Sequence, residues 1–193
     1  AAILHSAATA HEPIVGFVFP VRFTDGGSTG GTQVDHVKLF RNLPGVRFEG
    51  RIHEQVLQSL RPHGEIARLP NAVVLHSGYD TSVEGQAAKR ERDAHLLHLD
   101  LADRPQHPFV LFNLGMTAHY NGGHEEAVEW LFKSIDASNK NESHVRKAYA
   151  LLGVSLRELG RAQEALTVFS QGIEAVGSDA ELHFQSALVL TNQ

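Results

Sequence analysis

The chain changes its hydrophobic rhythm once, near residue 82. Before that point the apolar residues come in short runs rich in β-branched and aromatic side chains, a composition that fits strands. Ile14 to Phe23 reads as the first strand, with Pro20 marking an edge or a bend. Asp25-Gly26-Gly27-Ser28-Thr29-Gly30-Gly31 reads as a loop, and Val37 to Arg41 as a second short strand. Asn42-Leu43-Pro44-Gly45 predicts a turn with Pro and then Gly at its centre, after which Val46 to Phe48 resumes extended structure. Gln55 to Leu60 is too short an apolar run to separate a strand from a short helix. Ala72 to His76 reads as a buried-type strand, broken by Gly78-Tyr79-Asp80.

From Ser82 onward the spacing is helical. Ala87, Ala94, Leu97 and Leu101 fall on one face, with Lys89, Arg90, Glu91 and Arg92 largely off it. This helix should end near Asp103, ahead of Pro105. A repeat follows. Leu111-Phe112-Asn113-Leu114-Gly115 precedes Gly122, Ala127 and Leu131, and Tyr149-Ala150-Leu151-Leu152-Gly153 precedes Gly160, Ala165 and Phe169. The internal intervals are the same in both copies. This is the small-and-large pattern of the tetratricopeptide repeat, in which small residues let two antiparallel helices approach and large ones fill the space between units. The two copies are 38 residues apart rather than the usual 34 or so, which places about four extra residues in Asn139 to Ser143. Ala180 to Leu190 reads as the first helix of a third unit.

Composition narrows the chemistry. At 193 residues, 42% hydrophobic and 20% charged, the chain has the content of an ordinary globular protein. A net charge of -5 without a basic tract argues against a nucleic-acid partner. The lack of cysteine excludes disulfides, thiolate metal sites and cysteine nucleophiles, and fits a cytoplasmic location. No apolar run is long enough to span a bilayer. The chain begins with Ala rather than Met and ends inside a helical pattern, so it reads as part of a longer protein.

Two places concentrate titratable groups. In Phe48-Glu49-Gly50-Arg51-Ile52-His53-Glu54, Glu54 is a candidate general base, although spacing alone favours the simpler reading that it pairs with Arg51 or Arg47. The helical zinc-protease pattern is absent, because Leu57 stands where the second His belongs. His76, at a strand end, is a candidate metal ligand or a histidine satisfied by a backbone carbonyl. The Gly-rich loop lacks the Lys-Ser/Thr of a phosphate loop. His95 and His98 are one turn apart without an evident third ligand, and Lys89, Arg90 and Arg92 form a small basic cluster that either meets an anion or is solvated.

Taken in order, Leu39-Phe40-Arg41-Asn42, Phe48 to Glu54, His76-Ser77-Gly78-Tyr79 and the following Lys89 and Arg92 resemble the C-terminal half of bacterial family 2 glycosyltransferases fused to tetratricopeptide repeats. These are GT-A enzymes of the type that includes peptide S-glycosyltransferases. The resemblance runs from about Ile14 to the end. It implies an α/β fragment of a GT-A domain over residues 1–80, a linking helix over 81–105, and an all-α repeat solenoid over 106–193. It also implies a nucleotide-sugar donor, a peptide, protein or glycan acceptor, an inverting transfer, and a divalent metal (Mn or Mg) that offsets the leaving diphosphate. The repeats would hold a protein partner. Carried over residue by residue, Glu54 with His53 would be catalytic, His76 the late metal-binding His, and Arg51, Tyr79 and Arg41 substrate-binding. The chain departs from the family in lacking an Asp-x-Asp. The nucleotide-binding half should then lie upstream, and the chain alone should not turn over.

Overall fold

A computed structural model describes residues 14–23, 33–69, 71–76 and 83–191. The chain divides into two compact units, 1–86 and 87–193.

The described part of the first unit is a small mixed sheet. Strand β1 (Ile14–Phe23) is central. Strand β2 (Gln33–Phe40) runs antiparallel along one side, from Gly16 opposite Phe40 to Arg22 opposite Gln33. The other side is shared end to end by two parallel strands. β3 (Glu65–Arg68) pairs with Ile14 to Val18, and β4 (Val74–His76) pairs with Val21 to Phe23. Between β2 and β3 lies the short helix α1 (Leu57–Leu60), continued by a 3-10 turn over Arg61–His63.

Pro20 was expected at an edge or a bend, yet it sits in the central strand. The hydrogen bonds explain this. The Val15 carbonyl accepts from the Arg41 amide on the β2 side, and the Val18 carbonyl accepts from the Leu69 amide on the β3 side. Even-numbered residues of β1 therefore face the shared side. Pro20 falls in the interval between Val18, where β3 ends its pairing, and Val21, where β4 begins. Its missing N–H leaves no ladder bond unmade.

Alternation in β1 buries Val15, Phe17, Phe19 and Val21 on one face. On the other, Gly16 makes room for α1, since a Cβ there would stand 2.6 Å from Leu60 Cδ2. Leu60 and Val56 are accordingly buried. The run Ala72 to His76 was expected to be a buried strand. Val73 at 44% and Leu75 at 66% are exposed instead, with Ala72 and Val74 half-buried. Short apolar runs do not themselves report burial, and β4 touches the sheet through three residues at its margin.

The second unit is helical. Helix α2 (Val83–Asp103) ends where the sequence places it, but its buried face is Asp93, Leu97 and Asp100, with Ala94 and Leu101 only half-buried. Two carboxylates tolerate burial because each brings its own cation. Lys89 Nζ and Arg92 Nη2 lie 2.6 and 2.7 Å from Asp93, and Arg104 Nη2 lies 2.8 Å from Asp100.

Five further helices form the repeats: α3 (Pro108–Tyr120) with α4 (His124–Ala137), α5 (Val145–Glu158) with α6 (Ala162–Val176), and α7 (Ala180–Thr191). The small residues do what their spacing predicts. A Cβ on Gly115 would stand 2.6 Å from Leu131 Cγ, and one on Gly153 2.2 Å from Phe169 Cε1. Ala127, Ala165, Leu131 and Phe169 are fully buried. Gly172, which the repeat comparison did not single out, makes a third close approach, to Tyr149 and Leu182. The extra residues also lie where expected: seven residues, Ser138 to His144, join the first repeat to the second, against three, Gly177 to Asp179, at the next junction.

Gly122 and Gly160 occupy the same turn position in the two units with φ of +80° and +73°, in open space. Only the backbone demands glycine there. Gly160→Ala is expected to cost about 1–2 kcal/mol without a clash, read as a lowered thermal midpoint. An unchanged midpoint would mean the turn relaxes freely.

Candidate functional site

The segment Phe48 to Gln55 forms a closed loop. Leu43, Pro44, Gly45 and Val46 make the preceding turn, with the Val46 amide donating to the Leu43 carbonyl and Gly45 at φ +86°, as a type II turn requires. The turn thus starts one residue later than the sequence frame. Phe48 then packs edge-on against Phe40, with centroids 5.8 Å apart. Ser59 of α1 ties the segment down: its Oγ accepts from the Arg47 amide and donates to the Arg47 carbonyl. Glu49 and Gln55 exchange two backbone hydrogen bonds of 2.9 Å, closing the loop around residues 50–54.

Inside it the chain turns through two left-handed residues, Gly50 at φ +101° and His53 at φ +55°. His53 is the single non-glycine residue with positive φ among the described residues, a conformation His tolerates better than most. Strained residues of this kind gather at ligand-facing loops. Arg51, His53 and Glu54 are all exposed at the tip. Arg47 pairs with Glu49 at 3.1 Å rather than with Glu54. Glu54 enters no ion pair among the described residues, so the bland explanation for it, pairing with Arg47 or Arg51, does not hold.

The other sequence-derived site residues are placed as follows. Arg41 ends β2, exposed, its amide bonded to Val15. His76 ends β4, exposed, opposite Phe23. The loop is anchored beside Phe40, which pairs with Gly16. The two anchor points are thus seven residues apart on β1, roughly 20 Å along the strand. Tyr79 and the Gly-rich loop from Asp25 lie outside the described residues. Among the described residues no group of three or more His, Asp or Glu could hold a metal ion.

The basic cluster is already occupied in part. Lys89 and Arg92 engage Asp93, whose carboxyl burial alone would push upward; their hydrogen bonds outweigh that and hold it below the usual range. His98 Nδ1 bonds the Ala94 carbonyl at 2.8 Å, and His95 is exposed.

The repeats hold histidines that the sequence did not single out. His119 Nδ1 lies 2.8 Å from Ser155 Oγ, joining the two repeats. His144 is buried against the rings of Phe109 and Phe112, and its Nε2 bonds Ser138 Oγ. Burial lowers the pKa of both, with the charges of His124 and Lys147 adding to the effect at His119. Both are therefore neutral when folded, and the unfolded chain takes up protons first as pH falls. Stability should be full above about pH 6.5 and decline below it, until the folded groups titrate in turn. Helix melting at pH 7.5 and 5.5 checks this; His144→Gln should flatten the dependence, and an equal midpoint at both pH values would exclude it.

No protein-family profile matches the chain. It is 33% identical over 129 residues to the SPbeta prophage-derived glycosyltransferase SunS of Bacillus subtilis (strain 168), a match covering 64% of this chain and 30% of that protein. It is 33% identical over 104 residues to a TPR repeat-containing protein of Synechococcus elongatus, covering 51% of this chain and 26% of the relative. The chain thus spans less than a third of the length of these relatives. Among solved structures, MamA (MSR-1, C2 form) aligns with 55% of this chain and 59% of its own at 26% identity, with a TM-score of 0.48. Among the described residues, no helix is long and apolar enough to cross a membrane.

Proposed function

We propose that this chain belongs to a GT-A glycosyltransferase that moves a sugar from a nucleotide-sugar donor to a peptide, protein or glycan acceptor, with the repeats engaging a protein partner. The similarity to a glycosyltransferase over 129 residues carries the reading. The closed loop supports it by offering Glu54, exposed and in no ion pair among the described residues, as the base that takes the acceptor's proton while the acceptor atom bonds to the sugar carbon and the nucleoside diphosphate departs on the opposite face. His53 orients the loop tip, and Arg51, Arg41 and Tyr79 bind substrate. His76 would be one ligand of a divalent ion (Mn or Mg), which would supply charge neutralisation to the leaving diphosphate when bound. The described residues do not make up a full ligand set, so the others come from outside them.

A second reading, a non-catalytic protein-binding scaffold, is favoured by the match to a repeat protein. Nucleoside diphosphate release from nucleotide-sugar donors separates the two. The 193-residue chain alone should release none, and a chain that also carries a donor-binding half should release it only with acceptor present. Release by the short chain would mean that the site is built from residues assigned here to structure. Its absence from the longer chain, across donors, would favour the scaffold.

A further inference from the structure

The repeats carry an apolar groove on the side of their second helices. Val128 and Phe132 of α4 form one wall, Leu152 and Leu156 of α5 the floor, and Val168 of α6 the other wall, with Arg161, Glu164 and Thr167 completing the lining of a cavity of about 260 Å³. Phe132 is 65% exposed, although the other large apolar residues of its helix are buried or half-buried. An exposed ring at the lip of an apolar groove is the usual form of an anchor site.

The surroundings are acidic. Helices α4 and α6 carry Glu125, Glu126, Glu129, Asp136, Glu164 and Glu174 against Lys133 as their one cation. Helical spacing puts Glu125, Glu129 and Asp136 beside Phe132, at offsets of seven, three and four residues. All three are exposed. Of the nearby cations, Arg161 is held by Glu164 at 2.7 Å, and Lys133 lies over the Trp130 ring. An apolar slot with a net acidic border selects an apolar ligand with positive charge alongside it. A second copy of this acidic chain is disfavoured by like charge, as is an anionic membrane.

We propose that the α4/α6 groove docks a cationic amphipathic helix, its apolar side chains in the slot and its Lys or Arg against Glu125, Glu129 and Asp136. This rests on the reading of the repeats as a protein-binding unit and names the partner's chemistry. A helix of about 14 residues such as α4 is about 20 Å long, room for roughly four turns of such a partner.

The test uses the full 193-residue chain and two synthetic amphipathic peptides of the same pattern, one of Leu and Lys and one of Leu and Glu. Calorimetry reads affinity and methyl NMR reads location. The Leu-Lys peptide should bind, shifting the Val128, Leu152, Leu156 and Val168 methyls, and the Leu-Glu peptide should not. Phe132→Ser and the double variant Glu125→Lys/Glu129→Lys should each weaken binding about tenfold or more. All three positions are exposed, and unchanged melting would show that the fold is kept; if the Phe132 variant fails to fold, the charge variant decides. Equal binding of both peptides, or indifference to the substitutions, would overturn the proposal. Shifts confined to other helices would overturn the groove but leave protein binding by the repeats standing. No binding by either peptide would overturn the groove without touching the glycosyltransferase reading, which nucleoside diphosphate release tests.

Discussion

Glu54→Gln, in a chain that also carries a donor-binding half, is expected to lower sugar-transfer turnover by about 10²-fold or more, or about 2.7 kcal/mol of barrier, while donor affinity stays near the parent value. The amide keeps the shape of the side chain and removes the basic oxygen. Glu54 stands at the tip of a loop whose closure depends on the Glu49 and Gln55 backbones, so the substitution leaves the loop's scaffold intact. Glu49→Gln is the matched control: it alters a carboxylate in the same loop that is already paired with Arg47, and turnover should hold. Parent-like turnover in Glu54→Gln would remove the base from this position. An equal loss in both variants would point to loop structure instead.

Phe169→Ala should cost about 3–5 kcal/mol and lower the helical melting midpoint more than any surface change. Phe169 is the largest fully buried side chain among the described residues, and its ring edge fills the space that Gly153 leaves empty. The complementary change, Gly153→Ala, sets two effects against each other. Helix propensity favours Ala by about 1 kcal/mol. Overpacking costs about 1–3 kcal/mol, and the upper half of that range applies because a fully buried ring has nowhere to swing. The net sign should be destabilising. Ala165→Leu, with no propensity gain to offset it, should cost about 1–3 kcal/mol. In a Phe169→Leu background the Gly153→Ala cost should shrink by about 0.5 kcal/mol or more, since contacting residues do not add independently. Strict additivity would mean the two residues do not meet.

The repeats were legible in the sequence because their contacts are written at fixed intervals. Gly115 with Leu131 and Gly153 with Phe169 are local pairs, and the 38-residue period places the extra residues at Asn139 to Ser143, inside the junction Ser138 to His144. The sheet was less legible because its contacts are distant in sequence. Nothing local shows that the β1 register changes partner at Pro20, nor that the apolar Leu75 lies on the outside. The buried face of α2 was misread by about one position, because Asp93 and Asp100 are polar in a pattern and yet buried once paired with Lys89, Arg92 and Arg104. At the candidate site, the residues around Glu54 could be picked out by type. The left-handed His53 and the bridge between Glu49 and Gln55 could not, because backbone conformation of that kind has no signature in side-chain order. Phe132 escaped notice because a helical pattern explains an apolar residue without asking which way it faces.

The arrangement of strands around β1 has a consequence for how the two units open. β2, β3 and β4 are each bonded to β1, and β3 and β4 merely share its length. Losing β1 therefore releases every ladder at once, so amide protons of all four strands should exchange with solvent through one shared opening event. The repeats have the opposite character: each helix leans chiefly on its chain neighbours, and exchange can begin at an end and move inward unit by unit. One molecule thus joins an all-or-none clasp to a zipper.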